Sequence, residues 1–144
     1  MDAVLMSIKP EYTEKIFNGK KELELRKIAP RCSAPYIVYA YETKGLYTSE
    51  SGIKYNGAGA IVGKFIVTAT AIIRYSDFPF YAQRACLPVA RMLDYAGERK
   101  NLTALKISEP RRYNKPLGLS ALGLTRPPQS WQYLRDIKDV IDVE

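Results

Sequence analysis

Lys9-Pro10-Glu11-Tyr12-Thr13-Glu14-Lys15-Ile16-Phe17-Asn18-Gly19-Lys20-Lys21-Glu22-Leu23-Glu24-Leu25-Arg26-Lys27 changes its period from that of a helix to that of a strand at a single glycine. Pro10 suits a first helical position, where a missing N–H leaves nothing unsatisfied. Tyr12, Ile16 and Phe17 follow at i, i+4 and i+5 as an apolar stripe. Gly19 supplies the left-handed residue that closes the helix. Beyond it Leu23 and Leu25 point one way and Glu22, Glu24 and Arg26 the other, the alternation of a half-buried strand. Glu24 and Arg26 therefore share a face, and two readings follow. In one they form an ion pair that stabilises a strand edge, as most such pairs do. In the other Lys21, Glu24 and Arg26, delivered by the tight turn, line the mouth of a cleft that receives a polar ligand.

Working outward, Val4, Met6 and Ile8 alternate with Leu5 and Ser7 as a first strand covered on both faces. Ala29-Pro30-Arg31 breaks the second strand, and Tyr36 to Tyr41, rich in aromatic and β-branched residues, reads as a third. Thr43 to Gly59 carries Gly45, Gly52, Gly57 and Gly59 without a sustained period, which predicts a long exposed loop. Its Tyr47 and Tyr55 either stack on bases or pin the loop down. Ala60 to Tyr75 is a strand longer than usual, so Gly63 marks a bulge or bend. Asp77 is read as the N-cap of a helix ending at Ala85. Pro88 opens another helix, with Val89, Met92, Leu93 and Ala96 as core and Gly97 as its end. Leu102 to Ser108 alternates as a strand, followed by a basic turn at Pro110-Arg111-Arg112-Tyr113 and a connection over Pro116 to Ser120.

Arg126-Pro127-Pro128-Gln129-Ser130-Trp131-Gln132-Tyr133 starts extended, because a residue before proline is pushed out of the helical region. Trp131 either closes one end of the core or stands exposed for a base to stack on, worth about 1–3 kcal/mol per base. In the second case Arg126, Gln129 and Ser130 line the same cleft as Lys21 and Arg26.

At 144 residues the chain supports one ordinary core, so residues 1–144 are expected to form a single domain. No apolar run reaches the roughly 20 residues needed to cross a bilayer, and no secretory signal opens the chain, so a cytoplasmic protein without membrane contact is expected. Histidine is absent, which removes imidazole-based catalysis and imidazole metal sites. Cys32 and Cys86 lie far apart without ligand spacing, so neither a metal nor a cofactor is expected and both are read as free thiols. The net charge of +7 favours a polyanionic partner, RNA or DNA before others. Arg111, Arg112, Lys115, Arg126 and Arg135 form a basic region without acidic residues, followed by an acidic end at Asp136, Asp139, Asp142 and Glu144.

Gly19, Lys21, Glu24 and Arg26 spell G-x-K-x-x-E-x-R, which resembles the signature of the ASCH domain family, within the PUA-like superfamily of RNA-associated β-barrels. The opening Val4-Leu5-Met6-Ser7-Ile8-Lys9-Pro10 and the closing Arg126 to Tyr133 are also similar to the stand-alone ASCH proteins of bacteria and phages. The resemblance implies an α+β fold, a small PUA-like mixed β-barrel with flanking helices.

Charge and resemblance together give an RNA-binding module as the first expectation, with Lys9, Lys20, Lys21, Arg26, Arg126, Gln129, Ser130 and Trp131 as candidate contacts to RNA or a nucleotide-like ligand. Glu24 would accept from a base edge. The alternative is a small hydrolase with Lys21, Glu24 and Arg26 as its reacting residues. Some ASCH proteins are amidohydrolases that deacylate acetylated cytidine with a lysine, a threonine on this strand and a glutamate elsewhere. Lys21 matches the lysine, whereas Glu24 stands where that pattern has its threonine, and no motif places the further carboxylate, Glu98 included. Other relatives resemble ribonucleases. A protein-interaction adaptor using the 43–59 segment and the acidic end is a third class.

Overall fold

The β-branched and alternating stretches become strands and the amphipathic stripes become helices over residues 1–134, which a computed structural model of the chain describes. Arg135 and the acidic end from Asp136 to Glu144 lie outside the described residues. In order, β1 (Ala3–Ile8) leads into α1 (Pro10–Phe17), β2 (Leu23–Arg26), β3 (Tyr36–Glu42), β4 (Gly45–Thr48), β5 (Lys54–Gly57) and β6 (Ala60–Arg74). Then come α2 (Phe78–Ala85), α3 (Val89–Ala96), β7 (Asn101–Leu117) and β8 (Trp131–Leu134). The main sheet runs β2-β7-β6-β3-β1-β8, and β4 pairs with β5 apart from it. β1 and β3 are parallel, and the other ladders of this sheet are antiparallel.

Four strands separate β2 from β8 in the sheet order, yet the two edges meet. Trp131 Nε1 donates to Ile28 O at 2.9 Å, and Arg26 Nη2 donates to Ser7 O at 2.9 Å. The sheet is thus curled into a small barrel whose last seam is closed by side chains. Helices flank it, giving the α+β architecture expected.

The predicted hinge after α1 forms. Pro10 opens the helix, Gly19 takes φ +86°, and the Lys21 amide donates back to Lys15 O at 2.9 Å, which fixes the exit into β2. Inside the barrel Val4, Met6 and Ile8 of β1 pack with Ile16, Val38, Phe65, Val67 and Leu105. Leu5 on the other face packs with Tyr39, Ile61 and Leu122, so β1 is covered on both sides as predicted. Leu23 and Leu25 pack under α2 and α3 against Phe78, Met92 and Leu102. Glu24 and Arg26 are buried as well, so β2 is covered on both faces and not half-buried.

Gly63 lies at a register shift in both its ladders. A Cβ there would meet Arg111 O at 2.5 Å and the Phe17 ring at 2.6 Å, so close backbone approach requires glycine.

Three expectations are corrected and one is refined. The 43–59 segment is a hairpin, with Tyr47 opposite Tyr55, because its glycines sit at strand ends and in the tip, where they mask the alternation without preventing it. Residues 110–117 are not a turn and connection: Glu109 at φ +51° makes a bulge, after which β7 resumes pairing with Arg111 opposite Lys64 and Leu117 opposite Ile61. Asp77 stands at the N-cap position of α2 as read, but in helical geometry at the end of a 3-10 turn and without a side-chain capping bond. Leu93 is exposed, whereas Met92 and Ala96 carry the buried face of α3.

Candidate functional site

β2 and the turn before it bring Lys21, Glu24 and Arg26 together at the seam. Arg26 donates from Nε and Nη2 to Glu24 Oε2 at 3.1 and 2.7 Å, and its Nη1 donates to Ser130 Oγ at 3.1 Å. Lys21 Nζ lies 3.5 Å from Glu24 Oε1, donates to Ala85 O at 2.5 Å and sits 5.2 Å from the Tyr12 ring centre. Ala85 is the last residue of α2, so the ammonium also meets the negative end of that helix. Lys21 is 2% exposed, and burial pushes its pKa down against the pull of Glu24. Burial alone would raise the Glu24 pKa, but Arg26 and Lys21 outweigh it and hold the carboxyl below its usual range.

These groups form one wall of a cavity of about 310 Å³. Ser7, Lys9, Tyr12, Thr43, Leu87, Arg91, Tyr95 and Gln129 are among the residues completing it. Arg91 Nη2 donates to the Tyr12 hydroxyl at 3.1 Å, and burial raises that tyrosine's pKa while Arg91 opposes the rise. Thr43 Oγ1 is buried and makes no hydrogen bond. Tyr95 is 37% exposed, with Lys27 Nζ 5.0 Å from its ring centre. The three residues are therefore an ion-paired cluster, as the first reading of β2 has it, and that cluster lines a hollow.

Of the predicted residues, Lys9, Lys21, Glu24, Arg26 and Gln129 line this cavity. Ser130 does not line it but holds Arg26 from behind. Lys20 and Arg126 are exposed and stand outside it. Trp131 is half-buried, makes an edge contact with Tyr133 at 5.0 Å and ties its indole to Ile28 O, so it closes the seam. Glu98 is exposed and outside the cavity. Tyr12, Thr43, Leu87, Arg91 and Tyr95 were not anticipated. The spacing of Arg91 and Tyr95, i and i+4 beside the buried face of α3, was the one available signal. Among the described residues no group of three or more histidine, cysteine, aspartate or glutamate side chains is placed to hold a metal, and no helix is long and apolar enough to cross a membrane. Cys32 and Cys86 are free and half-buried.

No protein-family model matches the chain, and no curated protein does. Solved structures do. ASCH from Zymomonas mobilis superposes with a TM-score of 0.77 at 22% identity, covering 93% of this chain and 88% of that one. A tyrosine-to-phenylalanine variant of that protein gives 0.78 at 20% identity, covering 95% of this chain and 93% of the other. A serine-to-alanine variant gives 0.77 at 21%, covering 94% and 89%. At this identity the likeness is one of fold: the chain has an ASCH-type fold, a small PUA-like barrel with helices.

Proposed function

We propose that the chain binds RNA, taking one nucleotide of a single strand into the cavity between α1, β2 and α3. The observation that carries this reading is the company in that one hollow: the rings of Tyr12 and Tyr95, the cations Lys9 and Arg91, and a carboxylate held ionised by Lys21 and Arg26. Tyrosine faces stack bases without regard to sequence. Lys9 is exposed and Arg91 partly so, which suits phosphate at the cavity mouth. Glu24 Oε1, with only the longer contact to Lys21, keeps capacity to accept from a base amino group. Exposed Lys20 and Arg126 meet flanking phosphates, consistent with the charge of +7. Fluorescence anisotropy with a short single-stranded RNA over a salt series tests the proposal. Log affinity is expected to fall linearly with log salt. Tyr95→Ala is expected to weaken binding by about 1–3 kcal/mol without changing thermal unfolding. Salt-independent affinity, or none at low salt, overturns the proposal.

One observation favours a second reading. The unbonded Thr43 hydroxyl lines the same cavity as Lys21, whose pKa burial lowers. That pairing supports hydrolysis of an acylated nucleoside, in which a water oxygen adds to the acyl carbon and the exocyclic amine leaves with a proton. Binding ranks first because Lys21 already donates to Ala85 O and faces Glu24, and because Glu24 replaces the threonine of the amidohydrolase pattern. Incubation with acetylated cytidine and with short RNA, beside a Lys21→Met control checked for folding, separates the two. Turnover that this change abolishes places catalysis ahead.

A further inference from the structure

Arg91 already holds a carboxylate. Its Nη1 donates to Glu50 Oε1 at 3.0 Å while its Nη2 stays on the Tyr12 hydroxyl. Glu50 stands in the tip of the β4–β5 hairpin, distant in sequence from α3 and not part of the cavity wall. The tip is ordered for presenting it. Ser49 N donates to Ile53 O at 2.8 Å, Gly52 N to Ser49 O at 2.9 Å, and Ile53 N to Ser49 Oγ at 3.0 Å. Gly52 sits at φ +88°, a turn that a side chain would strain. Nearer the base, Lys9 Nζ lies 6.0 Å from the Tyr47 ring centre, and Tyr55 lines a hollow together with Glu14 of α1. The hairpin therefore bridges from the α1 wall of the cavity to the α3 wall, which its far end meets through an ion pair.

That pair is easily exchanged. Glu50 is 62% and Arg91 40% exposed at the side chain, and solvated pairs contribute little. The contact uses one guanidinium nitrogen and one carboxylate oxygen, whereas a phosphate offers the two-point geometry that a guanidinium fork prefers. The bond to Tyr12 keeps Arg91 aimed when Glu50 departs.

We infer that Arg91 seats a ligand phosphate beside Lys9 and that Glu50 is its built-in competitor, so that the phosphate displaces the carboxylate and frees the hairpin tip. This rests on the RNA reading and assigns the anion seat within it.

The test compares wild type with Glu50→Gln, Arg91→Gln and Glu109→Gln, the last removing the same charge away from the cavity. Binding of a short single-stranded RNA is read by anisotropy, and hydrogen exchange of residues 45–57 is read without RNA. Glu50→Gln is expected to bind about two- to fivefold tighter, the range a solvated pair allows, and to speed exchange at the hairpin tip. Arg91→Gln is expected to speed the same exchange but to weaken RNA binding, and Glu109→Gln to leave both unchanged. Unchanged exchange in Glu50→Gln overturns the latch whatever RNA does. An equal affinity gain in Glu109→Gln assigns the effect to net charge and overturns it too. Salt-dependent binding that is no tighter in Glu50→Gln removes the latch and leaves the RNA reading standing, whereas no binding by any of the four removes both.

Discussion

Glu24 is the residue on which the site turns, because it is the counter-charge of two buried cations at once. Replacing it by glutamine keeps the shape and strands Lys21 and Arg26, so Glu24→Gln is expected to cost about 3–5 kcal/mol in urea unfolding. The pH dependence follows from its depressed pKa. As pH falls below the ordinary value of 4.5, the unfolded chain takes up this proton before the folded one does, so the carboxylate's contribution is present above that value and fades through the folded pKa. The stability gap between wild type and Glu24→Gln should therefore narrow below about pH 4.5, a melt series at pH 3 to 7 being the check. Lys21, Glu24 and Arg26 were legible in the sequence because six residues and one glycine hinge hold them. Tyr12, Arg91 and Tyr95 were not, since their meeting depends on Arg91 of α3 reaching Tyr12 of α1, a relation no local pattern encodes.

At the scale of elements, local period served well wherever one face met the core. β1, α1, β3, β6 and both later helices lie close to where alternation and capping put them. It failed where burial is slight or interrupted. Apart from buried Gly57 the hairpin alternates between half-buried and exposed positions, and β7 crosses a proline and a left-handed residue before it resumes. Gly63 is where a sequence expectation and a packing constraint coincide. The β-carbon of Gly63→Ala would press on a strand carbonyl and on the Phe17 ring of α1, neither free to move far. A loss of about 1–3 kcal/mol is expected, seen as a lower urea midpoint, with the α1–β6 contact as the part that loosens first in hydrogen exchange.

For the molecule as a whole, Arg26 does two jobs. It lines the cavity, and its fork joins β2 to Ser7 of β1 and to Ser130 just before β8. A lysine there keeps the charge but loses the planar spread of donors. Arg26→Lys is expected to cost about 1–3 kcal/mol and to raise hydrogen exchange on both sides of the seam, in β2 and in β1, together. Faster exchange in β2 alone would show that the two edges stand independently.

A barrel fastened along one line by a guanidinium, an indole and a tyrosine hydroxyl differs from one laced throughout by its backbone. Parting the strands beside that line would take only the rotation of side chains and would leave every ladder whole. Because Arg26 also lines the cavity, a guest that met its guanidinium would touch one of the fastenings of its host.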